Sequence, residues 1–246
     1  MKILAIIPAR MGSTRYPGKP MELINGKPMI EMVYEQVIKC KSLTETIVAT
    51  CDEEIFRHIS SLGGKAVITK NTHERASDRC AEALLKLEKE NKIKYDIIVM
   101  VQGDEPMTHP EMIDQALEPL LTDQKILVSN LMAEIKNDEE FNDPNCIKVV
   151  FDLNLNALFF SRKPIPSLNL DKSLKAYKQV CIIPFKRDFL IKYTNLKPTP
   201  MEKAESVDMM RVLEHGYKLK LALTEFSTQA VDTPEDLKKV ENILSP

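Results

Sequence analysis

The chain has 246 residues, of which 43% are hydrophobic and 28% charged, enough apolar material for one large α/β domain with a small attached lobe. Thirty-four Lys and Arg stand against 36 Asp and Glu, so a formal charge of −2 provides no global field to recruit nucleic acid or an anionic membrane. Any anionic ligand must be held by locally placed Arg and Lys. Five scattered cysteines (Cys40, Cys51, Cys80, Cys146, Cys181), odd in number and without a CxxC pair, argue against a disulfide framework and a structural zinc site. They read as buried free thiols of a cytoplasmic protein. The four histidines show no metal-ligand spacing, and no run approaches the ~18 apolar residues of a membrane helix. The N-terminal apolar run is too short for a signal peptide.

Residues 3–7 (ILAII) predict a strand buried on both faces, ending at Pro8. A loop from Ala9 to Lys19 follows, with Gly12 and Gly18 supplying backbone freedom. NGKP at 25–28 reads as a hairpin-like turn, and 29–40 has helical periodicity. Next come a strand at 46–50, a helix at 53–62 stopped by Gly63-Gly64, a short strand at 66–69 and an amphipathic helix at 77–91. The apolar run 95–101 is a strand leading straight into Gln102-Gly103-Asp104. This alternation is the pattern of a parallel sheet with crossover helices.

The second half is less regular. Strands are expected at 126–132, 146–151, 156–161, 177–183 and 218–224, and helices at 110–121, 201–214 and 234–244. The last helix has a start signal in Thr233-Pro234. A Pro- and Lys-rich stretch, 163–175, lacks the aromatic residues that would stack on bases. The reading is a single domain over 1–246, with about 155–205 as a strand-rich flap.

Two polar motifs hold three of the seven glycines and follow predicted strand ends, where parallel sheets bind ligands. The first, Pro8-Ala9-Arg10-Met11-Gly12-Ser13-Thr14-Arg15-Tyr16-Pro17-Gly18-Lys19-Pro20, offers two Arg, one Lys, two hydroxyls and exposed amides, which suits a triphosphate. It lacks Walker A spacing. Taken alone it could equally be a solvated surface turn. The second is Gln102-Gly103-Asp104-Glu105-Pro106, whose Asp suits magnesium bridged to phosphate oxygens. A third element, Val231-Asp232-Thr233-Pro234-Glu235-Asp236, presents another Asp beside what is also an ordinary helix opening. Two such Asp with a basic loop are more specific than any member alone. His109, ahead of Pro110, reads as a turn residue, and most of the methionines as core filler.

IIPARMGSTRYPGKPMELINGKPMI, VQGDEPM, FNDPNCIKVVFDLNLNALFFSRKPIP and VDTPEDL closely resemble the 3-deoxy-manno-octulosonate cytidylyltransferases (CMP-Kdo synthetases). The resemblance is collinear and covers essentially the whole chain. It implies a three-layer αβα, Rossmann-like nucleotidyltransferase with a mainly parallel central sheet and a strand-rich extension that builds a homodimer. The implied reaction activates a 3-deoxy-ulosonic acid with CTP and Mg2+, releasing pyrophosphate, in lipopolysaccharide or capsule precursor synthesis. By position, Arg10 and Lys19 would contact the CTP phosphates, with Ser13 and Arg15 shaping the loop. Pro8, Ala9, Arg79 and Gln102 would surround the cytidine, and Asp104 and Asp232 would hold the metal. Arg162 would lie near the sugar acid.

The chain departs from the family's pattern at several places. The family's Ser-Gly-Thr-Asp/Glu-Arg is Arg75-Ala76-Ser77-Asp78-Arg79 here, and its Ala-Thr-Asp is Ala49-Thr50-Cys51-Asp52, a one-residue offset of the acid. Its Lys-His-x-Gly-x-Tyr strand reads Lys178-Gln179-Val180-Cys181-Ile182-Ile183, and its Leu-Glu-Gln-Leu-Arg helix reads Val207-Asp208-Met209-Met210-Arg211. Gln179, Cys181, Asp208 and Met209 thus mark a divergent acceptor pocket, because a site loses specificity when partners of substrate hydroxyls are replaced. The alternatives are compensated drift, a different anionic acceptor such as another sugar acid or a phosphonate, and a non-catalytic nucleotide-binding dimer.

Overall fold

The computed structural model describes residues 1–13, 15–171 and 173–245. Thr14, one of the two hydroxyl residues of the basic loop, lies outside the described residues, as does Lys172 in the Pro- and Lys-rich stretch. The chain divides into two compact units, Met1–Asp114 with Ser227–Pro246, and Gln115–Phe226.

In the first unit, β1 (Ile3–Ala9) is buried along its whole length, as its unbroken apolar sequence requires of a strand covered on both faces. A two-residue hairpin follows, β2 (Leu23–Ile24) against β3 (Lys27–Pro28), antiparallel with Leu23 opposite Pro28. Its turn residues Asn25 and Gly26 have φ of 50° and 82°, the left-handed pair that makes Asn-Gly the preferred hairpin turn. Then come α1 (Met29–Val37), β4 (Glu45–Thr50), α2 (Glu53–Ser61), β5 (Ala66–Ile68), α3 (Ala76–Asn91) and β6 (Ile97–Val101). These elements lie where the periodicity places them, with ends shifted by up to three residues. The strands pair in the order β6-β1-β4-β5, with every pairing parallel.

That order fixes where a ligand can bind. From β1 the chain moves outward through β4 to β5, then returns to the other side of β1 to form β6. The loops that follow β1 and β6 therefore leave adjacent strands at the point where the strand order reverses, which is where open α/β sheets form their binding crevice. Gly103 makes the close approach possible. A Cβ there would lie 3.0 Å from the Pro8 carbonyl oxygen and 3.2 Å from Ile30 Cδ1. Its small size serves the packing of the loop after β6 against the end of β1 and against α1.

The chain's end returns to this unit as α9 (Pro234–Leu244), opened by the Thr233–Asp236 capping box. Val231 and Val240 are buried with Ile24, Met29 and Met107, which fastens the C-terminal segment to the hairpin and the loop after β6.

The helix α4 (Pro110–Thr122) carries the chain into the second unit, whose sheet is mixed. Its strands are β7 (Ser129–Glu134), β8 (Lys148–Phe151), β9 (Ala157–Ser161), β10 (Tyr177–Val180) and β12 (Lys220–Thr224), in the order β12-β7-β10-β8-β9. The β12–β7 pairing is parallel, the others antiparallel. The strand expected over 177–183 breaks at Cys181, and its continuation is β11 (Ile182–Lys186). The helix expected over 201–214 is two helices, α7 (Pro200–Glu205) and α8 (Met209–Glu214), because Ser206 takes a left-handed conformation with φ 52°. Two short helices, α5 (Asp138–Asn142) and α6 (Arg187–Thr194), have no counterpart among the sequence expectations. The first buries no residue and rests on the Asn137 side chain accepting from Glu140 N, so it carries no apolar period to read. The second buries Phe189, Leu190 and Tyr193, an apolar run too short to distinguish helix from strand. Among the described residues no helix is long and apolar enough to cross a membrane.

Candidate active site

The loop after β1 is closed on itself by its backbone. Ser13 N and Gly18 N both donate to Met11 O, at 3.0 and 2.9 Å. Gly18 has φ 79°, a conformation that lets the chain turn directly into the short helix Lys19–Met21. Ser13 Oγ accepts from Tyr16 N at 3.3 Å, a local turn that occupies one of the two expected hydroxyls. The loop is anchored to the next strand by Asp52, whose Oδ2 accepts from Met11 N at 2.9 Å. Asp52 was visible in the sequence only as a misplaced acid. The parallel neighbour relation of β1 and β4 gives it this task.

Lys19 is the centre of the site. Its Nζ lies 2.6 Å from Asp104 Oδ2, 2.9 Å from Val231 O and 3.3 Å from Asp232 Oδ1. Arg15 Nη2 adds a second cation, 2.7 Å from the same Asp232 oxygen. Residues 128 positions apart in sequence meet because Val231 N donates to Asp104 O at 2.9 Å, which stitches the C-terminal segment to the loop after β6. Asp236 then holds the backbone of Asp232 and Thr233, accepting from their N–H groups at 3.1 and 3.0 Å. The helix opening and the acid beside it are thus one construction.

The electrostatics follow. Burial pushes the Lys19 ammonium toward deprotonation, but Asp104 and Asp232 outweigh it and hold the pKa above the ordinary lysine value. Burial, then the Asp104 charge, raises the Asp232 carboxyl despite Lys19 and Arg15. Two carboxylates forced together require a cation between them. Hard carboxylate oxygens beside a basic loop suit magnesium, which takes few protein ligands and completes its octahedron with other oxygens such as those of phosphate and water. Among the described residues no group of three or more His, Cys, Asp or Glu gathers to hold a metal, so a two-carboxylate arrangement is what the chain offers.

The other residues singled out in the first unit lie at the end of β1 and just after it, in the loop after β6 and on α3. Pro8 and Ala9 are buried at the end of β1, Gln102 begins the loop after β6, and Arg10 is exposed, with Nη1 3.4 Å from His73 O. Arg79 is buried on α3. Its Nη1 donates to Thr69 Oγ1 at 2.5 Å, while Nη2 has no hydrogen-bond partner. Burial also pushes the neighbouring Cys51 thiol up, which keeps it un-ionised.

The residues expected on the acceptor side belong to the second unit. Arg162 Nε donates to Glu205 O at 2.6 Å and Nη1 to Pro144 O at 2.8 Å. Gln179 Nε2 donates to Asn130 Oδ1 at 2.6 Å, and Asn130 Nδ2 in turn donates to Val180 O at 2.8 Å. Asn130, fully buried, is a partner that sequence reasoning did not name. Cys181 sits half-buried at the break between β10 and β11. Asp208 precedes α8, its carbonyl accepting from Tyr193 OH at 2.8 Å. Met209 has no exposed surface in this conformation.

Residues 4–221 match the family model described as cytidylyltransferase. The chain is 43% identical over 257 residues to the 3-deoxy-manno-octulosonate cytidylyltransferase of Geobacter metallireducens, covering 100% of this chain and 98% of that one. It is 40% identical to the protein of the same description from Fusobacterium nucleatum, over 99% of this chain and 97% of that one. Among solved structures, CMP:2-keto-3-deoxy-manno-octonic acid synthetase complexed with CTP superposes with a TM-score of 0.88 at 36% identity, covering 99% and 98% of the two chains. A 4-diphosphocytidyl-2C-methyl-D-erythritol synthase from Anaerococcus prevotii, 17% identical with a TM-score of 0.61, shares the fold.

Proposed function

Since the chain belongs to the 3-deoxy-manno-octulosonate cytidylyltransferase family, we propose that it transfers the cytidylyl group of CTP to the anomeric hydroxyl of a 3-deoxy-ulosonic acid. The oxygen of that hydroxyl bonds to the α-phosphorus, the bond to the β-phosphate oxygen breaks, pyrophosphate leaves, and the hydroxyl proton passes to solvent. Positioning and charge neutralisation do most of this work, so no side-chain nucleophile is required.

The observation that carries the reading is the meeting of Lys19, Asp104 and Asp232 where the loops after β1 and β6 adjoin. In the working complex Lys19 and Arg10 would turn to the triphosphate, Ser13 and Arg15 would shape the loop beside it, and Arg79 and Gln102 would border the cytidine with Pro8 and Ala9. Asp104 and Asp232 would hold Mg2+, which supplies neutralisation of charge on the triphosphate oxygens. Retention of both acids and both cations supports catalysis over a merely nucleotide-binding dimer.

On the acceptor side, Arg162, Gln179, Cys181, Asp208 and Met209 would shape the sugar-acid pocket. The Gln179–Asn130 pair favours a second reading, in which the preferred acid differs from Kdo at the groups this pair meets. The segment 155–205 would serve as the dimerisation extension of a cytoplasmic homodimer. Pyrophosphate release tests the reading of the centre. Asp104→Asn should abolish Mg2+-dependent release from CTP and Kdo while CTP still binds. Undiminished release would remove Asp104 from the reaction.

A further inference from the structure

Glu82 on α3 takes no part in the reaction above, yet it gathers a dense set of partners for a carboxylate at a surface. Its Oε2 meets His73 Nε2 and accepts from Lys70 N at 3.0 Å, and its Oε1 lies 2.7 Å from Lys86 Nζ. Lys86 also donates to Ile68 O at 2.8 Å. One carboxylate thus fixes the segment 68–73 at three places along its length. Burial alone would raise its pKa, but Lys86, the Lys70 amide and His73 together hold it down to about 2.

That segment is what the two nucleotide-side arginines touch. Arg10 Nη1 reaches His73 O at 3.4 Å. Arg79 Nη1 donates to Thr69 Oγ1 at 2.5 Å and lies 3.4 Å from Lys70 O. The segment is secured at its other side by Thr69 N donating to Thr50 O at 2.8 Å, at the end of β4. Arg79 is 2% exposed and lies beside the Cys51 thiol, and its Nη2 makes no well-formed hydrogen bond, which leaves a buried cationic donor with capacity for a further acceptor.

We propose that Glu82, with His73, is a positioning pair for nucleotide binding: it fixes the 68–73 segment, whose Thr69 hydroxyl and Lys70 and His73 carbonyls orient Arg79 and Arg10 toward CTP. The inference rests on the reading of those arginines given above. Neither Glu82 nor His73 touches the nucleotide; each acts through the arginines. Loosening the segment costs the ordering that CTP then has to restore, so the loss falls on CTP affinity rather than on the turnover of a saturated enzyme.

The test is CTP binding by titration calorimetry, with steady-state kinetics on the full chain. Glu82→Ala should raise the CTP dissociation constant and KM about tenfold, the effect of losing a charge-assisted hydrogen bond. The KM for the sugar acid and kcat at saturating CTP should stay within about twofold. Glu82→Gln, which still accepts from Lys70 N, should recover part of the affinity, and His73→Ala should lose less than Glu82→Ala. Circular dichroism shows whether each variant folds, and if Glu82→Ala does not, the Gln and His73 variants carry the test. Wild-type CTP affinity in the folded variants overturns the proposal. So does an equal loss toward CTP and the sugar acid without rescue by Gln. Arg10→Ala and Arg79→Ala separate the levels: if neither weakens CTP, the reading of the arginines falls, whereas if they weaken it and Glu82 does not, only this inference falls.

Discussion

Replacing Lys19 by Met removes the ammonium that bridges Asp104 and Asp232, at 2.6 and 3.3 Å, and leaves a methionine of similar length. The side chains of Lys19, Asp104 and Asp232 are 13%, 26% and 16% exposed, so water screens the facing carboxylates only in part. Loss of a charge-assisted hydrogen bond costs about 1.5–3 kcal/mol, and breaking a fully buried pair about 3–5. Partial exposure, and Arg15 remaining on Asp232, place this case at about 2 kcal/mol. For a chain of this size that corresponds to a melting temperature lower by about 4–8 °C. The sign with pH follows from the raised Lys19 value. Its contribution is complete below the ordinary lysine pKa of 10.5 and is lost as pH rises through the higher folded value. The wild type should therefore approach the variant only in strong alkali. Differential scanning fluorimetry at pH 7.5 reads this directly, and added Mg2+ should recover more stability in Lys19→Met than it adds to the wild type. A variant melting within about 1 °C of wild type, or blind to Mg2+, would refute the reasoning that the two carboxylates need a cation.

Three further outcomes are expected. Gly103→Ala should destabilise by about 1–3 kcal/mol, because Ile30 Cδ1 can move away from the new methyl but the Pro8 carbonyl cannot; a thermal melt checks it. Glu202→Gln leaves Arg211 without the carboxylate that meets both its Nε and Nη2, where the two side chains are 3% and 0% exposed, and should cost about 3–5 kcal/mol in a urea titration. Glu82, held at about 2 against an ordinary 4.5, contributes stability present above 4.5 and lost as pH falls toward 2. Acid titration should accordingly show a steeper loss in that window for the wild type than for Glu82→Gln, and parallel curves would count against the contact set around Glu82.

The parallel sheet was legible because its strands, ILAIIPA and IIVMV above all, are continuous apolar runs separated by helices of clear period. Asn25-Gly26 was legible for a different reason, since only left-handed residues fit that turn. The second unit was harder to read. Ser206, a non-glycine at positive φ, splits a helix that periodicity runs through, and Cys181 interrupts a β-branched stretch with no local warning. In the site, Lys19, Asp104 and Asp232 stood out by motif and are brought together by the fold. Asp52 and Asn130 did not stand out because their partners, Met11 and Gln179, are distant in sequence, and His73 and Glu82 because a loop and a helix meet there through no motif. Strand order and segment packing create those tasks, and neither is written in a local pattern.

Mass-spectrometric detection of product from CTP, Mg2+ and a panel of Kdo, other sugar acids and small phosphonates reads the reaction itself. The expected product is a CMP-sugar of a 3-deoxy-ulosonic acid, with one pyrophosphate released per transfer. Product only from an acceptor outside that class, or none while CTP binds normally, would contradict that expectation.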